Sequence, residues 1–314
     1  MEMKSGNLLP LKRIGQVETR AADAEWMIEN LWMAEAVGII GGQPKLWKSW
    51  MCLDMAVSVS SGTACLGRFQ VKKPGPTLVF MAEDEQHEVR RRVDCICKNR
   101  DLDVNALDLH LITSHRLYLD DDDDRDMLRR MIEHVRPKLL LLDPLVRLHR
   151  GNENDSRDIA ALLGFLRELQ RQYSCAVLLA HHASKRGHGR PGQGLRGSSD
   201  LHAFGSSNLY LSHRDGDVEV TVEHRAAPST GPYLMRLVDD DGTHLKLVEA
   251  PAGAKNSPSL EEQILDHLEA APLPVARVDL RATLRVNNHR LGKALTSLLT
   301  SGQIVSMPDG LALA

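Results

Sequence analysis

The strongest chemical signal in the chain is the segment Gly42-Gln43-Pro44-Lys45-Leu46-Trp47-Lys48-Ser49. A short apolar run precedes it and a helical stretch follows. A bound triphosphate needs inward-facing backbone N–H groups, a lysine on its β- and γ-phosphates and a hydroxyl on Mg²⁺. The spacing that supplies these is G-x-x-x-x-G-K-[ST]. Gly42, Lys48 and Ser49 keep that spacing, while Trp47 stands at the second glycine position. The expectation is a loop, Gly42 to Ser49, that binds ATP, with Mg²⁺ at Ser49. The plain alternative is a strand-to-helix turn holding a chance lysine.

Two acids support the first reading. Leu139-Leu140-Leu141-Leu142-Asp143 is an apolar run ending in a carboxylate. A buried parallel strand would set Asp143 at the carboxyl edge of a sheet, beside the loop, where it can complete the magnesium shell. The run 77–81 leads into Ala82-Glu83-Asp84. A carboxylate there can orient or deprotonate an attacking water. Singly, Glu83-Asp84 reads as a helix cap and Asp143-Pro144 as a turn. Three strand ends aimed at one chemistry favour a site.

These residues need a scaffold, and the pattern supplies one. Apolar runs at 37–40, 77–81, 109–113, 139–142 and 176–180 are too short for helices and bounded by turn residues. Such runs suit strands buried on both faces of a parallel sheet. Helical stretches fall between them at 50–58, 85–99, 126–135 and 159–173; in the last, Ile159, Leu162, Leu163, Leu166 and Leu169 share a face. The acidic run Asp120 to Asp124 reads as a solvated loop capping the next helix. From 206 to 248 the texture becomes that of hairpin-linked strands, expected to extend the sheet antiparallel. Pro251 to Pro258 is a linker by composition. Beyond it, three short helices and a terminal hairpin have the layout of a winged helix-turn-helix. The expected organisation is an arm (1–35), an α/β ATPase domain (36–250), a linker (251–258) and a winged-helix-like domain (259–314).

Composition sets the bounds. The chain has 314 residues, 42% of them hydrophobic, and a formal net charge of -3. That is ordinary for a globular protein and gives no global basic field. The five cysteines form no CxxC pair, which argues against a disulfide framework or a zinc site and fits a reducing cytoplasm. Neither a signal peptide nor a membrane span is legible.

At this point the sequence resembles the RecA-fold ATPases of the plasmid RepA helicase type, relatives of the ring-forming DnaB helicases, over about residues 26–249. That group often carries a glycine-poor loop, G-x-P-K-x-x-K-[ST], which Gly42 to Ser49 match. The resemblance implies a RecA-like fold and assigns Lys48 to the β/γ-phosphates, Ser49 and Asp143 to magnesium, and Glu83 to the catalytic glutamate. His182, in His181-His182-Ala183-Ser184-Lys185, falls where DnaB relatives sense the γ-phosphate. Glu223-His224-Arg225-Ala226-Ala227-Pro228 is similar to their K-x-R-x-G-P, which makes Arg225 an arginine finger acting on a neighbouring subunit; Glu223 and Ala227 replace the lysine and glycine. The glycine-rich stretch 185–199 carries Lys185, Arg186, Arg190 and Arg196, which could meet DNA phosphates. Arg290 and Lys293 sit on the third helix of the C-terminal module, where a winged helix contacts a major groove. The reading is thus a Mg²⁺-dependent ATPase working on DNA, expected to be single-stranded, as a homo-oligomer expected to be a hexameric ring. An ATP-dependent DNA-binding regulator or loader without helicase activity is the second reading. A structural nucleotide binder without turnover is the third.

Overall fold

In the computed structural model of the chain, the described residues are 11–17, 25–153, 155–182, 200–214, 216–240, 242–248, 260–271, 273–284, 286 and 288–313. The chain divides into two compact units, Met1–Val248 and Glu249–Ala314.

The first unit opens with a small hairpin, β1 (Trp26–Ile28) and β2 (Trp32–Met33). Alternating elements follow: β3 (Val37–Gly42), α1 (Lys48–Ser61), β4 (Thr77–Met81), α2 (Gln86–Asn99), β5 (Leu109–Leu111), α3 (Asp122–Val135), β6 (Leu139–Asp143), α4 (Ser156–Tyr173), β7 (Ala176–His182) and α5 (Asp200–Phe204). The unit ends in β8 (Ser207–Arg214), β9 (Asp217–His224), β10 (Tyr233–Asp239) and β11 (Thr243–Val248). Nine strands form one sheet in the order β11-β10-β9-β8-β3-β7-β6-β4-β5. From β8 to β5 every pairing is parallel, and from β8 to β11 every pairing is antiparallel. The fold is therefore the expected α/β arrangement with a mostly parallel sheet.

The apolar runs are continuous because both faces are covered. Leu139 and Leu141 of β6 join the core that α1 and α2 complete, while Leu140 and Leu142 join the core under α3 and α4. Helix α1 lies in the first of these cores with residues buried all round it, which explains its lack of an amphipathic stripe. Its one buried acid, Asp54, pairs with Arg100 and accepts the Leu66 N–H at 2.9 Å.

The acidic run is more than a solvated loop. Helix α3 begins at Asp122, so three of the acids form its first turn and Asp121 caps it. Asp124 is buried and accepts the Tyr118 N–H at 2.7 Å. Negative charge at a helix N-terminus is favourable, so propensity and dipole carried the helix further upstream than the apolar spacing predicted.

The tightest point of the sheet lies between β3 and β8. A Cβ on Gly38 would sit 1.6 Å from the Ser207 carbonyl oxygen and 2.9 Å from the Trp32 ring. Both are walls of buried structure that cannot turn aside. Gly38→Ala is expected to destabilise the first unit by about 3 kcal/mol or more, read as a lower midpoint in a denaturant melt. A midpoint within error of the parent would mean that β3 and β8 do not approach this closely.

The second unit contains α6 (Leu260–Ala270), α7 (Arg277–Leu284), α8 (Asn288–Thr300) and a hairpin of β12 (Ile304–Met307) and β13 (Gly310–Leu313). It has its own core of Ile264, Leu268, Leu280, Leu291, Leu295, Leu298, Ile304 and Leu311. Val275 adds a further rung, exchanging both backbone hydrogen bonds with Leu311 at 2.9 Å.

Candidate functional site

Parallel strands leave their carboxyl ends on one edge of the sheet, and there the predicted residues converge. The adjacent strands β3, β7, β6 and β4 end respectively in the loop that follows Gly42, in His182, in Asp143, and in the segment leading to Glu83. Gly42 is paired in register with His182. Met81 is paired with Asp143, and the Ala82 N–H donates to the Asp143 carbonyl at 2.8 Å. One edge of four strands thus brings together the loop after Gly42, His182, Asp143 and Glu83.

The loop itself is built for close approach. A Cβ on Gly42 would lie 2.9 Å from the Leu211 carbonyl oxygen, so a larger residue would push the loop strand away from β8. Leu46 is fully buried and ties the loop to the core beneath α1. Lys45 and Trp47 both take left-handed backbone conformations, with φ of 66° and 57°. This explains what a glycine at the second position usually does: the loop needs a positive φ just before the lysine. Trp47 meets that need at a strain of roughly 1 kcal/mol and keeps its indole packed against the core on the α1 face.

That strain sets the ranking of substitutions. Trp47→Gly loses the indole contacts but releases the strain, whereas Trp47→Ala loses the contacts and keeps it. Trp47→Gly is expected to be the more stable of the two by about 1 kcal/mol, because glycine takes the left-handed conformation without a Cβ penalty. Paired thermal melts check this; an alanine variant equal to or better than the glycine variant would remove the strain argument.

Lys48 is buried, and its amine donates to the carbonyls of Gly42 at 3.0 Å and Gln43 at 2.8 Å. Burial lowers its pKa, while Asp143, Cys52 and Glu83 act against that shift. Asp143 responds in the opposite sense. Burial raises its carboxyl to about 6, and the neighbouring Asp84 and Glu83 add to that, while the Ser49 hydroxyl and Lys48 oppose it. Its Oδ2 is buried with no hydrogen-bond partner. Such an atom is costly unless something else satisfies it. A hard cation shared between Asp143 and the Ser49 hydroxyl fits both observations. Among the described residues no cluster of three or more His, Cys, Asp or Glu could hold a metal by itself.

His182 lies beside the lysine. Burial first, then the charge of Lys48, lowers its pKa, so the imidazole is neutral near pH 7. Its Nδ1 is buried without a partner. Glu83 faces the same space and accepts a hydrogen bond from Arg147 Nε at 2.9 Å.

Three features of this edge are absent from the sequence reading. Arg147 lies in the short turn that follows Asp143. His149 is buried with neither ring nitrogen bonded, and Glu153 has a buried Oε1 without a hydrogen bond. The segment after an apolar strand that ends in Asp is where such residues could have been sought.

Arg225 does not join the group. It follows β9, whose His224 pairs with Ser207, and its N–H donates to the Ser206 carbonyl at 3.0 Å. Ser206 in turn donates to Val37, the first residue of β3. Arg225 is thus at the opposite edge of the sheet from Gly42, roughly 17 Å of strand away. Its guanidinium donates to the Ala203 carbonyl. Lys185, Arg186, Arg190 and Arg196 lie outside the described residues. Arg290 and Lys293 lie on α8, but their side chains are outside the described part.

Comparison with known proteins agrees with this fold. A family model described as AAA domain matches residues 5–188. A solved ATPase domain is similar at 15% identity and a TM-score of 0.52, over 69% of this chain and 87% of that one. A solved DnaB-like replicative helicase, described with its interactions with primase, is similar at 16% identity and a TM-score of 0.51. That match covers 69% of this chain and 58% of the helicase chain, and at such identities both likenesses concern the fold. No helix among the described residues is long and apolar enough to cross a membrane.

Proposed function

The chain belongs to the AAA domain family and is a P-loop ATPase of RecA-like fold, and we propose that it couples Mg²⁺-dependent ATP hydrolysis to translocation along DNA or its unwinding, as a ring of the plasmid RepA type. The observation that carries the reading is the row of four strand ends that sets the Gly42–Ser49 loop, His182, Asp143 and Glu83 side by side.

The backbone of Gly42, Gln43, Pro44, Lys45, Leu46 and Trp47 wraps the phosphates. Lys48 exchanges its two carbonyl partners for β- and γ-phosphate oxygens. Ser49 and Asp143 would hold Mg²⁺, which would supply charge neutralisation at the phosphates. Glu83 orients a water at the γ-phosphorus and accepts its proton as the bond to the bridging oxygen breaks. ADP and inorganic phosphate are the products. His182, kept neutral, hydrogen-bonds the γ-phosphate and registers its loss at the root of the 185–199 stretch. In that stretch Lys185, Arg186, Arg190 and Arg196 meet the phosphates of single-stranded DNA. The second unit acts as a winged helix that contacts DNA through Arg290 and Lys293.

The place of Arg225 supports an oligomer. A finger far from its own loop completes a site only in a neighbouring copy, so assembly and turnover are linked. The first experiment is steady-state hydrolysis across protein concentration, with and without single-stranded DNA. Turnover that rises with both fits the motor. Flat turnover with intact ATP binding sinks it in favour of the second reading, an ATP-dependent DNA-binding regulator or loader. Glu223 and Ala227, which stand where helicase relatives place lysine and glycine, favour that second reading. Strand displacement on a forked duplex separates the two.

A further inference from the structure

We infer that Arg147 is the positioning residue for Glu83, holding the carboxylate so that it faces the phosphate site; this rests on the assignment of Glu83 as the group that activates water. Arg147 Nε donates to Glu83 Oε1 at 2.9 Å. A glutamate on an exposed segment would otherwise sample many rotamers. A charge-assisted hydrogen bond from the rigid guanidinium selects among them.

The two ends of this contact differ in a telling way. The backbone that carries Arg147 is anchored on both sides. Leu145 and Leu148 are fully buried, the Leu148 N–H donates to the Leu145 carbonyl at 2.9 Å, and the Leu148 carbonyl accepts from the Leu119 N–H at 2.6 Å. The side chains themselves are open to solvent, 61% exposed for Arg147 and 44% for Glu83. Such an exposed pair contributes little to folding stability. Its effect is therefore on where the carboxylate sits.

That position faces the site. The charge of Glu83 is felt by Lys48, Asp143 and His182. Met81 pairs with Asp143 and the Ala82 N–H donates to the Asp143 carbonyl, so Glu83 leaves the sheet beside that strand end, and Arg147, from the turn after Asp143, holds its carboxylate there. One carboxylate oxygen takes the guanidinium N–H, and the other is the acceptor for the attacking water. The same short segment carries Asp143 at its start and Arg147 at its end. One turn thus sets both the magnesium carboxylate and, through Arg147, the base. A shift in that turn moves the two together.

The test uses the full chain and four variants: Arg147→Ala, Arg147→Lys, Glu83→Gln, and Arg147→Ala with Glu83→Gln. Steady-state kinetics give kcat and KM for ATP, and single-turnover hydrolysis gives the residual rates of the slow variants. Arg147→Ala is expected to lower kcat about tenfold with KM unchanged, because orientation rather than binding is lost. Arg147→Lys should recover part of the loss, since an ammonium restores one donor without the planar fork. In the Glu83→Gln background, Arg147→Ala should cost nothing further. An unchanged kcat for Arg147→Ala, a rise in KM alone, or losses that multiply in the double variant would each overturn the inference while leaving Glu83 in place. If Glu83→Gln retains full turnover, the assignment of Glu83 falls first, however Arg147→Ala behaves.

Discussion

Lys48→Ala is expected to lower ATP turnover by about 10³-fold, close to 4 kcal/mol of transition-state stabilisation. The expectation follows from the place of the amine. It is buried beside Asp143 and Glu83, and it is tethered to the loop by the carbonyls of Gly42 and Gln43. Those tethers hold it at the mouth of the loop before any phosphate arrives, so little reorganisation is needed when charge develops. Alanine leaves the carboxylates of Asp143 and Glu83 facing the incoming triphosphate without the charge of the lysine. The measurement is steady-state hydrolysis beside a thermal melt. A large loss with an unchanged melt supports the loop as the phosphate site. Turnover that survives the substitution would mean that Gly42 to Ser49 form only a strand-to-helix turn.

Arg225→Ala carries the second large effect, and it is expected to show in trans. An arginine finger is worth roughly 10³-fold or more. Arg225 is at the far edge of the sheet from the loop of its own chain, so the loss appears only where subunits meet. Mixing gives the sharper result. Arg225→Ala chains keep Lys48, and Lys48→Ala chains keep Arg225. Equal amounts of these two inactive variants, allowed to exchange subunits, should regain about a quarter of parental turnover, because about one interface in four joins an intact loop to an intact finger. No recovery, with assembly shown by sedimentation, would remove Arg225 from the site. Full activity of a dilute Arg225→Ala monomer would remove the dependence on assembly as well.

Much of this site was legible because the buried strands of a parallel sheet write themselves as unbroken apolar runs. The runs ending in Gly42, Glu83, Asp143 and His182 could be found without any knowledge of pairing. What stayed hidden is non-local. That β7 lies between β3 and β6, placing His182 beside Gly42, is a matter of strand order, which periodicity does not encode. The positive φ at Trp47 was hidden for a different reason: tryptophan gives no hint of a left-handed conformation, and only packing against the core maintains it. Arg147 escaped because arginines in turns are common and the partner is distant in sequence. The acids at 120–124 were read by charge alone, which concealed the buried role of Asp124.

The order of strands also bears on how the molecule is made. β3 is synthesised well before its two neighbours, β7 at Ala176–His182 and β8 at Ser207–Arg214. At ordinary synthesis speeds the phosphate-loop strand waits roughly ten to thirty seconds for the second of them. Through that interval it is an apolar strand with both edges open, the kind of segment that pairs with the wrong chain. A chain terminated before β7 would leave it so permanently. The segment most concerned with nucleotide is thus also the one most in need of protection during translation.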